Sequence, residues 1–325
     1  MAWLERHQIA LYLAAIAAAA VLGVLIGGAH HLEVAIEPVL GLLLYATFLA
    51  VPFTALGRAL RDGRFLAAVG VLNFVVVPLV AFGLSRLVAD DPALLFGVLL
   101  VLLCPCIDYV IVFAGLAGGA ADRLLAAAPL LMLAQILLLP LYLLLFIGPA
   151  GVAVVEVGPF AEAFVVLIVV PLTAAALTQR LAARAGRTAH VAGAVQAVTG
   201  AAMVPLMMAT LFVVVASQAG AVSRRVGELL VLVPLYAGFL IVMAVLGAVA
   251  ARAFRLDVAS GRTLVFSGAT RNSLVVLPLA LALPASLSLA PVVVVTQTLV
   301  ELIGMVVYVR LVPRLIGVGS KSTFS

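Results

Sequence analysis

The chain is poor in charge. Only 10% of its 325 residues are Asp, Glu, Lys or Arg, while 66% are hydrophobic; soluble domains carry about 25% charged residues. A soluble chain of this length would need far more polar surface to cover its core, which excludes an ordinary soluble enzyme, a nucleic-acid binder and a disordered protein. Cysteine is nearly absent. Cys104 and Cys106 stand either side of Pro105, and two such neighbours build no disulfide framework of a secreted domain. No segment is long or polar enough to be a separate soluble domain, and no phosphate loop, dinucleotide glycine motif or zinc-ligand spacing occurs. ATP-driven pumping and redox chemistry therefore lack support, and neither an enzyme nor a cofactor is expected. The net charge of +5 does not require an acidic partner, since arginine gathers on the cytoplasmic side of membrane proteins.

What the chain has in abundance is apolar runs. A spanning helix needs about 20 apolar residues, and ten candidates can be read between polar breaks: Ile9–Gly28, Val34–Leu56, Phe65–Val88, Leu94–Leu116, Leu124–Ile147, Phe160–Thr178, Val191–Ser217, Leu229–Ala251, Thr263–Leu283 and Pro291–Val312. Met1–His7 leads into the first without a cleavage site before a polar mature domain, so it reads as the start of a span and not as a signal peptide. The basic stretch Leu181–His190 is expected to lie along the interface. With the N-terminus inside, fourteen of the eighteen basic residues fall on the cytoplasmic side; Arg86, Arg224 and Arg225 fall outside, and Arg271 on neither side. This bias puts both termini in the cytoplasm of a multi-pass cell-membrane protein. The fold class expected is an all-α membrane protein, a single polytopic domain over residues 1–325. Ten spans make two five-helix repeats, 1–158 and 159–325, and an odd set must invert, the plan of many secondary transporters. Gln135 and Gln297 are half a chain apart, and the same shift sets "CIDYV" opposite "GATRN".

Depth singles out three charges. Asp108, Arg271 and Glu301 each lie roughly 12–20 Å from either membrane surface at 1.5 Å per residue, too deep to snorkel, and each costs at least ~2.5 kcal/mol there unless it faces a partner or a wet cavity. Two readings stay open: a buried ion pair that locks helices, or a substrate and coupling-ion site whose net negative charge is balanced by H+ or Na+. Pro105 lacks an N–H and should break span four, freeing the carbonyls of Val101 and Leu102. In span nine Gly268, Thr270, Asn272 and Ser273 form a polar run at the midplane. Interruptions at matching positions of two halves point to a transport site, although polar helix packing would explain either alone. Cys106 is a soft ligand suited to thiophilic elements, or simply a small buried hydrophobe. Gln135, Gln297, Asn73 and Thr296 read as interhelical hydrogen bonders.

These motifs together resemble the arsenite efflux permeases of the bile acid/sodium symporter superfamily, through nearly all ten spans. Span two "PVLGLLLYATFLAVPF", span three "LNFVVVPLVAFGL" and above all "CPCIDYVIVFAGLAGGAADRLLAAAPLLMLAQILLLPLY" carry the resemblance, with "LVEL" around Glu301. It implies that Cys106 falls on the family's functional cysteine, which meets trivalent arsenic, and that spans three to five and eight to ten form a core and the rest a panel. The chain also departs from the pattern. Leu274 stands where the family has a glutamate, Arg271 replaces a neutral residue and Asp108 replaces a small or neutral one.

The resemblance implies arsenite efflux by proton antiport with alternating access. Cys106, Arg271 and Asn272 would contact substrate, and Asp108, Glu301, Gln297 and Thr270 would couple the ion, H+ or Na+. The alternative is sodium-coupled symport of a small organic anion, with Arg271 on its carboxylate; a third reading is a non-transporting membrane scaffold or sensor. The partners expected are the lipid bilayer and a small-molecule or metalloid substrate, with no nucleic acid, and the sequence allows a homo-oligomer.

Overall fold

The computed structural model describes residues 2–25, 29–50, 62–107, 109–152, 158, 162, 165–184, 186–224 and 226–317. Every regular element among them is helical, and the one pairing of extended backbone is an isolated bridge between Pro105 and Arg271. Asp108, Arg58, Arg61, Arg225, Lys321 and the expected start of span six at Phe160 lie outside the described residues.

The chain divides into two compact units. The first comprises residues 1–51, 155–230 and 277–285, and is built on α1 (Ala2–Leu25), α2 (Glu33–Ala50), α8 (Val170–Ala182) and α9 (Arg187–Arg224). Close approach of α1 to α9 depends on Gly23, where a Cβ would fall 2.4 Å from the Ala216 carbonyl oxygen. Tyr45 and Thr178 share a 2.9 Å hydroxyl contact, and the Gln179 side chain donates to the Leu49 carbonyl at 3.0 Å, fixing α8 on α2. Among the described residues of Leu181–His190, all helical ones belong to two longer helices. α8 ends at Ala182, Gly186 takes the left-handed φ of +104°, and Arg187 already opens α9. Glycine accepts that φ without steric cost directly before the first residue of α9.

The second unit comprises residues 52–154, 231–276 and 286–325. It contains α3 (Gly63–Val71) and α4 (Val77–Ser85), joined by a π-helical turn Leu72–Val76, then α5 (Pro92–Leu102), α6 (Tyr109–Leu116) and α7 (Ala121–Val152). After α10 (Leu232–Ala253) come α11 (Val258–Ala269), the first turn of α12 (Ser273–Leu281) and α13 (Ala290–Leu315). Asp91 caps α5, accepting from the amides of Ala93 at 2.8 Å and Leu94 at 3.1 Å; Asp257 caps α11, accepting from the Ser260 amide at 2.9 Å. α5 is buried along its whole length except Pro92, and packs on α13 where a Cβ on Gly97 would lie 2.8 Å from Val293 Cβ.

Among the described residues, five helices are long and apolar enough to cross a membrane: Gly63–Val88, Leu130–Pro149, Ala189–Ser217, Leu232–Ala253 and Ala285–Leu315; Ala10–Leu25, Val34–Ala50 and Pro92–Leu102 are shorter apolar helices. Spans four and nine fall short because each is cut into two half-length helices. The surface is apolar where lipid would lie. On α10, Ile241, Val245 and Val249 are exposed at helical spacing, with Ile241 67% accessible, while Leu240, Met243, Ala244 and Ala248 of the same helix are buried.

Candidate functional site

Leu103–Ile107 between α5 and α6 and Thr270–Asn272 between α11 and α12 are non-helical and run antiparallel across each other in the second unit. The Cys106 amide donates to the Thr270 carbonyl at 3.1 Å, and the Asn272 amide donates to the Cys104 carbonyl at 2.8 Å. Pro105 and Arg271 therefore face each other at a pair that makes no ladder bond of its own, where a missing N–H costs nothing. Each break thus satisfies one amide and one carbonyl of the other, in place of the helical bonds that are lost there.

The Arg271 amide, free of the ladder, donates to Glu301 Oε2 at 2.8 Å. The same carboxylate accepts from the Tyr109 hydroxyl at 2.5 Å and from the Gln297 side-chain amide. Tyr109 also reaches the Arg271 carbonyl at 3.2 Å. The guanidinium runs elsewhere. Nη2 donates to Asn73 Oδ1 at 2.9 Å, the Ser267 carbonyl at 2.7 Å and the Gly268 carbonyl at 2.9 Å, and Nη1 donates to the Leu102 carbonyl at 3.3 Å. It lies 5.7 Å from the centre of the Phe239 ring. Arg271 is fully buried, and the ion pairs among the described residues are Arg123–Asp62 and Arg123–Asp257, so no salt bridge joins its guanidinium to Glu301. Its charge is balanced by carbonyls at the C-terminal ends of α5 and α11, where the helix dipole favours a cation. The Leu102 carbonyl freed by Pro105 is one of these; the Val101 carbonyl accepts instead from the Cys104 amide at 3.3 Å.

Cys106, Thr270, Arg271, Asn272, Gln297 and Glu301 thus gather at one crossing, all buried. Thr270 turns its hydroxyl back to the Phe266 carbonyl at 2.6 Å. Asn272 Oδ1 accepts from the Val275 amide at 3.2 Å, leaving its Nδ2 without a protein partner, as are Arg271 Nε, Ser273 Oγ and Gln297 Oε1. Both cysteines are buried thiols outside any disulfide.

Three contributors were not legible as site residues. Asn73 sits in the π-helical turn of the third span and donates to Ser267 Oγ at 3.0 Å while accepting from Arg271; it reads in sequence only as an interhelical hydrogen bonder, and π turns leave no simple sequence signal. Tyr109 follows Asp108 in the "CIDYV" interruption, which was the available hint. Phe239 is one apolar residue among many on α10.

A model of the Sodium Bile acid symporter family matches residues 37–225, more than half of the chain. The match includes Cys104 and Cys106 and ends before Arg271 and Glu301. No curated protein matches the chain.

Proposed function

The chain belongs to the Sodium Bile acid symporter family, whose members are membrane transporters and not enzymes, and from that premise we propose a secondary active transporter that works by alternating access about the crossing of α5–α6 with α11–α12. The observation that carries this reading is the crossing itself: two interrupted helices brace each other's open backbone and bring one acid, one arginine and two thiols together in a buried cluster. Spans that served only as scaffold would have no use for such breaks. The unpartnered atoms Asn272 Nδ2, Ser273 Oγ and Gln297 Oε1 add to this support, since buried polar atoms without protein partners suit a solute or water that comes and goes.

The substrate in this reading is a trivalent metalloid, arsenite, carried out of the cell in exchange for protons. Cys106 supplies the soft thiol. Glu301 carries the coupling proton, held by Tyr109 and Gln297, and Asp108 is the second acid. Asn272 offers its amide to a substrate hydroxyl, and Thr270 shapes the break. Ten spans in two inverted repeats, 1–158 and 159–325, with both termini cytoplasmic, complete the reading.

A second reading, sodium-coupled symport of a small organic anion, draws on the family's name. It would place a carboxylate on Arg271 through Nε, the one guanidinium atom without a protein partner. Everted membrane vesicles separate the two. Arsenite accumulation driven by a proton gradient should be abolished by Cys106→Ser, and unchanged accumulation would end the role of that thiol. Anion binding lost in Arg271→Gln, in a protein indifferent to arsenite, would establish the second reading instead.

A further inference from the structure

Four oxygen atoms converge on the Arg271 guanidinium: Asn73 Oδ1 and the carbonyls of Leu102, Ser267 and Gly268, at 2.7–3.3 Å. All four are neutral. Leu102 is the last residue of α5, and Ser267 and Gly268 belong to the last turn of α11, so the three carbonyls sit at the negative ends of two half-helices. Such oxygens accept from a guanidinium and coordinate a small metal cation alike. Hard, uncharged oxygens from half-helix C-terminal ends and unwound backbone are the donors with which transporters hold a small cation. Nη2 alone meets three of the four oxygens; with two hydrogens it cannot make three linear bonds, so this contact is closer to a coordination shell than to a directed fork. The Phe239 ring flanks the group at 5.7 Å.

The position of residue 271 reinforces this. An arginine placed to neutralise an acid would present its side chain to Glu301. Here only the backbone amide reaches that carboxylate, at 2.8 Å, while the guanidinium is carried back beneath the end of α11. The backbone on either side is pinned, with Thr270 accepting from Cys106 and Asn272 donating to Cys104.

We propose that the Arg271 guanidinium is a tethered cation filling a seat for a monovalent alkali cation at the helix crossing, so that this protein binds neither Na+ nor K+ there. Coupling then falls to the proton on Glu301; that corollary rests on the transporter reading, whereas occupancy of the seat does not.

The test uses the full-length protein purified in detergent. Its thermal unfolding midpoint is measured in sodium, potassium and N-methylglucamine chloride at constant ionic strength, and with millimolar guanidinium. The wild type should show the same midpoint in all of them. Arg271→Ala should lose about 10 °C in N-methylglucamine and regain at least half of it, saturably, on adding sodium, potassium or guanidinium, as expected for a ligand that binds only the folded state. Arg271→Lys keeps a tethered charge and should stay indifferent to the added cation. Saturable stabilisation of the wild type by sodium or potassium overturns the proposal, as does an Arg271→Ala protein that folds and gains nothing from any of the cations. If Arg271→Ala cannot be purified in any salt, the wild type and Arg271→Lys decide: indifference in both supports the tethered cation and cation dependence in either overturns it. Because the readout is stability, failure of arsenite transport leaves the result standing, and a sodium-dependent wild type removes the tethered cation without removing the transporter.

Discussion

Glu301 and Arg271 meet through a backbone amide, so each side chain has its own set of hydrogen-bond partners. The carboxylate accepts from Tyr109, Gln297 and the Arg271 amide, while the guanidinium is held by carbonyls. Glu301→Gln can keep its amide oxygen at the Oε2 position, accepting from the Arg271 amide and Gln297, while its NH2 donates to the Tyr109 hydroxyl, which then gives its own proton to the Arg271 carbonyl at 3.2 Å, so the variant removes the titrating proton with little loss of hydrogen bonding. The variant should reach the membrane and run as a monodisperse peak in size exclusion, yet lose at least about tenfold of proton-driven flux, a factor that corresponds to ~1.4 kcal/mol in the barrier. Flux and its pH dependence equal to wild type would remove Glu301 from coupling. Depth in the spans was enough to single out Arg271 and Glu301, because charge at the midplane is costly wherever it occurs. Depth does not tell which atoms neutralise it. Between Arg271 and Glu301 the two side chains form no ion pair, and the guanidinium's acceptors among the described residues are Asn73 Oδ1 and the carbonyls of broken helices, which become acceptors only once the breaks exist.

At the scale of elements, the break in span four was legible because proline removes a donor and clashes with the preceding turn. The break in span nine has no proline at its centre; Thr270 to Asn272 leave the helix because their backbone is bonded across to Cys104 and Cys106. The first half-helix of each broken span, α5 and α11, starts from a capping aspartate, and one of these reports on pH. Asp257 accepts from the Ser260 amide and hydroxyl, each at 2.9 Å, and from Arg123 at 2.9 Å; Arg123 also meets Asp62, the cap of α3, at 3.3 Å. Partial burial pushes the Asp257 carboxyl up, but the Ser260 bonds and Arg123 outweigh it and hold the group below its ordinary value. A carboxyl lowered by folding adds stability that is complete above its unfolded pKa, about 3.9, and is lost as pH falls through the lower folded value. The side chain is 54% exposed, so solvent screening keeps the effect small. The unfolding midpoint should therefore not change through Asp257 between pH 5 and 7 and should fall below about pH 4, with a shallower acid limb in Asp257→Asn. Parallel acid limbs in the two proteins would deny the cap this role.

For the whole molecule, the basic residues give the most direct prediction. Arg123, Arg252 and Arg262 gather at one end of the second unit. Arg262 donates to the Ala117 and Ile316 carbonyls, each at 3.0 Å, and Arg252 to the Leu315 carbonyl at 3.4 Å. These residues belong to the fourteen assigned to the cytoplasmic side, against three outside, and a bias of that size orients a polytopic protein. Green fluorescent protein fused after Ser325 should fluoresce and alkaline phosphatase at the same place should be inactive; the opposite pattern would invert the assigned topology.

Composition alone determined that the chain is helical and lives in a membrane, since a chain 66% hydrophobic can satisfy its backbone in lipid only within helices or a closed barrel, and its apolar runs have helical length. Two of the expected spans were legible in their bounds, because an apolar run ends where polar residues can reach water: α10 and α13 lie close to the expected Leu229–Ala251 and Pro291–Val312. Tertiary structure decided what the midplane charges touch. The carbonyls around Arg271 come from α5 and α11, and the amide oxygen comes from a π-helical turn near residue 73. No local pattern encodes that convergence, because the oxygens belong to the backbone, which every residue carries alike, and only the crossing of two broken helices makes them acceptors for one guanidinium.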